Sequence, residues 1–321
     1  MACTEFELIE RFFNAATRPR EDVLLGIGDD CALLRVPAGC ELAVSIDTLV
    51  SGVHFFADAD PQALGHKALA VNLSDLAAMG AEPAWVTLAL TLPTADELWL
   101  ERFMAGFAAL ADRHQVQLVG GDTTRGPLCI TVQAHGVVPQ GAALRRDGAR
   151  VGDRIGVTGS LGDAGLALER LCAGEPLDRS LRARLEQPEP RLAAGIGLRP
   201  LANSAIDLSD GLLADLGHIC QRSGVGARLE LARLPLSEAV EKQVKMRCEW
   251  SLPLTSGDDY ELCFSVPPQC CAQVEEVLAG EVGGCTWIGV IEEDQGVRCY
   301  GTDGRLSRAV QGGYQHFRDA D

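Results

Sequence analysis

The chain has 321 residues, 47% of them apolar, a length that suits two α/β domains of roughly 150 residues each with a core in both. Its net charge of −17 argues against nucleic acid or an anionic membrane as partner, since both would be repelled over most of the surface, so a phosphate ligand has to arrive with metal ions. The 12 cysteines include no CxxC pair, and they read as reduced, mostly buried thiols of a cytoplasmic protein.

Residues 1–13 carry Glu5, Glu7 and Glu10 among apolar side chains, which predicts an amphipathic helix and not the uncharged centre of a signal peptide. No apolar run approaches membrane-spanning length. Strands are expected at 23–27 and 41–47, each leaving an acidic group at its exit, Gly28-Asp29-Asp30 and Asp47. A helical period starts at Pro61 and runs through Leu64, Ala68, Val71, Leu76 and Met79 to a stop at Gly80. Residues 84–92 read as a strand, 95–113 as a helix, 116–119 and 128–138 as strands, a β-α-β-α succession. The segment 139–153, rich in Gly, Arg and Pro, reads as a linker between a domain at 1–138 and a second at 154–321. That second part opens with a strand entering the Gly-rich turn 159–165, followed by helices at 166–172, 211–220 and 272–278 and strands near Ala227, Leu262 and Trp287.

Six segments end an apolar run with aspartate: Gly28-Asp29-Asp30, Ser45-Ile46-Asp47, Ser74-Asp75, Gly121-Asp122-Thr123-Thr124, Asp207-Leu208-Ser209-Asp210 and Gly257-Asp258-Asp259. Hard oxygen ligands without Cys or His point to Mg²⁺, which keeps waters and bridges to substrate phosphates. No Walker A loop, protein-kinase signature or EF-hand spacing is present. Several readings stay open at this level. Gly159-Ser160-Leu161-Gly162 either presents N–H groups to a phosphate or only makes a tight turn. Asp122 and Asp207 to Asp210 are either ligands or helix caps, and Asp75 is either a buried carboxylate in need of a cation or a solvated residue in the first turn of a new helix. His54 in its loop, and Arg145 with Arg146 in the linker, are either phosphate or substrate contacts or ordinary surface residues.

Taken together, Gly26-Ile27-Gly28-Asp29-Asp30-Cys31-Ala32, Asp47-Thr48-Leu49-Val50, Asn72-Leu73-Ser74-Asp75-Leu76-Ala77-Ala78-Met79-Gly80-Ala81, Gly120-Gly121-Asp122-Thr123-Thr124-Arg125-Gly126 and Asp207-Leu208-Ser209-Asp210-Gly211 closely resemble the thiamine-monophosphate kinase family. The likeness runs from Glu5-Phe6-Glu7-Leu8-Ile9 to Gly313-Tyr314-Gln315-His316-Phe317. It implies a two-domain α/β (α+β) fold of the PurM-like ATP-binding superfamily, with an N-terminal mixed sheet forming a barrel across a homodimer and a C-terminal α/β domain. It also implies transfer of the γ-phosphoryl of ATP to thiamine monophosphate. By the same resemblance Asp30, Ser45, the backbone at Ile46, Asp47, Asp75, Asp122, Asp207 and Asp210 would hold several Mg²⁺ ions. Gly121, Asp122, Arg146 and Ser209 would contact ATP, and His54, Asp258 and Tyr314 thiamine monophosphate. Asp122 and Asp210 would serve catalysis through metal, with no protein base. Two positions depart from the family, which often has Thr at Ile46 and Glu at Asp258.

A chemistry without a base suits the acceptor, whose phosphate oxygen is already deprotonated at neutral pH; the barrier is repulsion between two anions. Two other functions compete. One is a related ATP-dependent enzyme with a different acceptor, and the other a non-catalytic Mg²⁺- or Ca²⁺-dependent nucleotide-binding regulator.

Overall fold

The computed structural model describes residues 5–14, 16–280, 283–301, 303–307 and 312–314. The chain divides into two compact units, Met1–Leu76 with Ala81–Gly141, and Ala77–Gly80 with Ala142–Asp321.

In the first unit, α1 (Glu5–Leu8) continues into a π-helical turn, Ile9–Phe13, that buries Phe12 and Phe13. The first four residues of the predicted helix, Cys3 among them, lie outside the described residues. A short antiparallel pair follows, β1 (Val23–Leu25) and β2 (Leu33–Leu34). Next come β3 (Cys40–Val50), α2 (Pro61–Ala78), β4 (Glu82–Leu92), α3 (Glu97–Arg113), β5 (Gln117–Arg125) and β6 (Cys129–Pro139). The four long strands form one sheet in the order β3-β6-β4-β5, in which only β4 and β5 run parallel, as a helical crossover between them requires. Within one chain this sheet is open, with β3 and β5 as its edges.

Period-two alternation along β6 buries Ile130, Val132 and Ala134, and these share a face with Val86, Leu88 and Leu90 of β4. The helix α2 lies on that face: Asn72 accepts the N–H of Asp47, and Leu76 reaches Gly136. It is buried almost all round, through Leu69, Leu73 and Leu76, and meets α3 backbone to backbone. A Cβ on Gly65 would fall 1.9 Å from the Phe103 carbonyl oxygen, and one on Gly106 1.8 Å from that of Gln62. An alanine at either position would force the helices apart. The other face of β3 exposes Leu42, Val44 and Ile46.

The second unit runs β7 (Arg154–Thr158), α4 (Asp163–Cys172), α5 (Arg179–Glu186), α6 (Leu192–Leu198), β8 (Ser204–Asp207), α7 (Leu212–Ser223), β9 (Gly226–Glu230), α8 (Glu238–Arg247), α9 (Ser251–Thr255), β10 (Leu262–Val266), α10 (Cys271–Leu278), β11 (Cys285–Glu292) and β12 (Gly296–Tyr300). Its sheet has the order β12-β9-β11-β7-β10-β8, antiparallel except for β12 beside β9. Leu212, Leu216 and Ile219 recur at helical spacing on α7 and pack with Ile155, Val157, Ile206 and Leu229 of the sheet in one core cluster. Asp178 and Ser237 cap α5 and α8, accepting from Leu181 N and Val240 N.

Three expectations change. The strand holding Asp47 does not end there, because Thr48, Leu49 and Val50 stay paired with Thr131, Ile130 and Cys129 of β6. Asp122 likewise lies inside β5, whose pairing with β4 continues to Arg125, so it caps nothing. The cysteines are not mostly buried: of the eleven described, all free thiols, only Cys220 and Cys263 are buried, while Cys31, Cys172 and Cys248 are exposed in a loop and at helix ends. Among the described residues no helix is long and apolar enough to cross a membrane.

Candidate metal and phosphate site

Within the first unit the predicted ligands fall into two sets. Alternation along β3 turns Ser45 and Asp47 towards α2 and Ile46 away from it; the Ile46 side chain is 59% exposed. Asp75 lies in the fourth turn of a continuous α2, which excludes a new helix capped by Asn72 or Ser74. Its carboxylate accepts the hydroxyl of Ser45. Burial and the charge of Asp75 push the Asp47 carboxyl up to about 6. Hard oxygen atoms held together under mutual repulsion suit a divalent cation, which would relieve the repulsion and lower that value.

Asp122 pairs across to Ala89, Ala89 to Thr131 and Thr131 to Thr48, so it sits on the sheet face opposite Asp47, with two strands between β5 and β3. The structure therefore does not join it to the Asp47 and Asp75 pair. Asp122 instead shares a cleft of about 680 Å³ with Asp29, Asp30, Cys31 and Gly121, floored in part by Ile9 and Phe13. Asp30 is exposed, and its N–H donates to Asp29 Oδ1 at 2.8 Å. His54 closes the turn after β3, where its Nδ1 accepts the Val50 N–H at 3.0 Å; a neutral ring so placed carries its proton on Nε2.

In the second unit three backbone segments meet. Asp258 N donates to Ser209 O at 2.9 Å, Tyr260 N to Leu208 O at 2.9 Å and Tyr314 N to Asp210 O at 3.1 Å. Gly257 permits the first of these approaches, since a Cβ there would lie 2.2 Å from Ser209 O. Asp207 at the end of β8, Ser209, Asp210, Asp258 and Tyr314 are thereby gathered in one neighbourhood. Gln315, His316 and Phe317 of the motif ending there lie outside the described residues. Arg145 is engaged by Asp147 at 2.9 and 2.6 Å, whereas Arg146 is exposed and its charge acts on Asp215 of α7.

Asp215 is a further carboxylate of this neighbourhood, outside the six aspartate segments of the sequence. It is buried, accepts the N–H groups of Asp210 and Gly211 at 3.1 and 3.0 Å, and is pushed up to about 7 by burial and the Asp210 charge. It braces the Asp207-to-Gly211 turn, and its carboxylate lies close to Asp210 and His218. The spacing of Asp215 five residues after Asp210, at the start of a helix, is the signal that carried it.

The Gly-rich turn is a structural one. Leu161 N donates to Pro235 O, and Gly162 N to both carboxylate oxygens of Asp259 at 3.0 Å, so these donors are not offered to a phosphate. Burial raises the Asp259 carboxyl well above the usual range, against these hydrogen bonds. Beside it, fully buried Glu261 takes Arg191 Nε and Nη2 at 2.6 Å each, Thr158 Oγ1 at 2.6 Å and Arg184 Nη2 at 3.0 Å. None of these partners was legible as a network, because they come from positions 70 or more residues away.

Residues 28–138 match the family model of AIR synthase related protein, N-terminal domain, and residues 150–301 that of its C-terminal domain. The chain is 51% identical to the thiamine-monophosphate kinase of Escherichia coli K12 over 99% of both sequences. Among solved structures it is similar to thiamine-monophosphate kinase from Stenotrophomonas maltophilia K279a, at 48% identity and a TM-score of 0.86 over 96% of this chain and 99% of that one. It is also similar to AaThiL complexed with AMPPCP and TMP, at 30% identity and a TM-score of 0.77 over 98% and 97%.

Proposed function

The chain belongs to the thiamine-monophosphate kinase family, and we propose that it transfers the γ-phosphoryl group of ATP to thiamine monophosphate, releasing ADP and thiamine diphosphate. The observation that carries this reading is the end-to-end likeness to kinases of that name, one of them holding an ATP analogue together with TMP. The same likeness makes the chain a two-domain PurM-like α/β enzyme.

The acceptor oxygen needs no base, so the residues have to bind, orient and offset charge. Asp30, Ser45, the Ile46 backbone, Asp47, Asp75, Asp122, Asp207 and Asp210 are the donors we assign to Mg²⁺. The all-oxygen set and the strained protonation of Asp47 support that assignment. When bound, Mg²⁺ neutralises phosphate charge and holds the line of attack. Gly121, Asp122, Arg146 and Ser209 are assigned to ATP; the exposed guanidinium of Arg146 is suited to a phosphate. His54, Asp258 and Tyr314 are assigned to thiamine monophosphate, Asp258 by charge and the 45%-exposed Tyr314 ring by stacking on the cationic heterocycle. An eight-stranded barrel across a homodimer would cover Leu42, Val44 and Ile46 on the open edge strand β3, and a cytoplasmic location fits the free thiols.

The test is ADP release from Mg²⁺-ATP with thiamine monophosphate, alongside thiamine and aminoimidazole ribonucleotides as acceptors, with thiamine diphosphate identified as product. Turnover dependent on thiamine monophosphate is expected. Turnover only with another acceptor would move the chain elsewhere among its relatives, and ATP binding without turnover would make it a regulator.

A further inference from the structure

Asp258 and Tyr260 both adopt left-handed backbone, with φ of +67° and +48°, a conformation that side chains other than glycine seldom take. Two such residues within three positions persist only where the surroundings over-determine them. Here the intervening and following residues supply the constraint. Asp259 is pinned on the Gly162 N–H, and Glu261 on Arg191, Arg184 and Thr158, all in buried surroundings. A Cβ on Gly159 would lie 2.1 Å from Glu261 Oε1, so the turn and the carboxylate are fitted to each other. The main chain is stitched to the Asp207-to-Asp210 turn by Leu208 N to Glu261 O at 2.8 Å, Tyr260 N to Leu208 O and Asp258 N to Ser209 O. On the outer side, Tyr260 OH donates to Asp258 Oδ1 at 3.0 Å.

The segment thus has two sides, an inner one locked by guanidinium and amide groups and an outer one presenting a half-buried carboxylate. Aspartate has a short side chain, so its reach is set by its backbone more than by its rotamer. We propose that Glu261, clamped by Arg191 and Thr158, is a positioning residue for thiamine monophosphate, which fixes the backbone that aims Asp258 at the cationic part of that substrate. This rests on the reading of Asp258 as a substrate contact.

Steady-state constants of Asp258→Ala, Glu261→Gln and the double variant, measured on protein of verified folded fraction, test it. Asp258→Ala is expected to raise KM for thiamine monophosphate about tenfold, as loss of a charge-assisted contact does, with KM for ATP unchanged. Glu261→Gln should raise the same constant several-fold, and should add nothing in the Asp258→Ala background. An Asp258→Ala enzyme with wild-type constants overturns the substrate contact and with it this role for Glu261. A real Asp258 effect to which Glu261→Gln contributes additively overturns the positioning alone. Should Glu261→Gln fail to fold, Thr158→Val removes one hydrogen bond from the clamp and should show a smaller rise in the same KM, while Thr158→Ser, which keeps the hydroxyl, restores the wild-type value. Equal KM values in Thr158→Val and wild type would then overturn the clamp.

Discussion

Two groups of carboxylates, one in each unit, are held in opposite ways. Asp47 is set against the charge of Asp75 and is driven up to about 6, while Glu261 is met by two guanidinium groups and a hydroxyl at hydrogen-bond distance. An acidic group that the chain compensates with its own arginines is part of the scaffold. One left under repulsion by its neighbour is poised for a cation supplied from outside. Acidity alone does not distinguish them, since all are Asp or Glu in apolar stretches; the partner does.

The comparison breaks if the two groups respond alike to removal of charge. The largest expected effect is on turnover: Asp47→Asn, Asp122→Asn and Asp210→Asn each lower kcat by about a hundredfold or more, with thermal midpoints no lower than wild type. Wild-type rates at saturating Mg²⁺ would sink the assignment of that residue to metal. The scaffold variant Glu261→Gln should show the reverse balance, losing about 3 kcal/mol of stability in denaturant titration because the buried guanidinium of Arg191 loses its counter-charge.

A pH series sharpens the contrast. The folded value of Asp47 lies above its ordinary 3.8, so its contribution to stability is fully present below about pH 4 and is lost as pH rises through about 6. Asp215, at about 7, acts with the same sign over a wider window. Metal-free protein should therefore lose stability between pH 4 and 7, by about 3 kcal/mol from Asp47, and Mg²⁺ should restore it. In Asp47→Asn the slope between about pH 4 and 6 should shrink to the share that Asp215 leaves; an unchanged slope would show that Asp47 is not under repulsion. The smallest effect concerns the neighbouring arginines. Arg146→Ala should raise KM for ATP several-fold, whereas Arg145→Ala, whose guanidinium is already engaged by Asp147, leaves it unchanged.

Most long elements were legible because their periodicity is local: α3 and β6 follow from alternation and helical spacing, and their ends fall within two residues of expectation. Strand ends were less so. Nothing in Asp47 or Asp122 announces that pairing continues past them, since the continuation depends on β6 and β4 as partners. The candidate site divides in the same manner. The aspartates stand out by their position after apolar runs, but that Asp47 and Asp122 occupy opposite faces of one sheet follows only from register. The two roles open to the Gly-rich turn are separated only by distant partners. Its N–H groups are taken up by Pro235 and Asp259, partners that no local pattern links to it.

Cys31 sits one peptide bond from Asp30 in the cleft shared with Gly121 and Asp122, and it is exposed. The chain therefore carries a native chemical reporter inside the cleft proposed for the nucleotide, and two internal standards, since Cys172 and Cys248 are exposed elsewhere. Peptide-resolved alkylation would read occupancy without any engineered label: Cys31 should be shielded as the cleft fills, while the other two thiols keep reacting at their own pace.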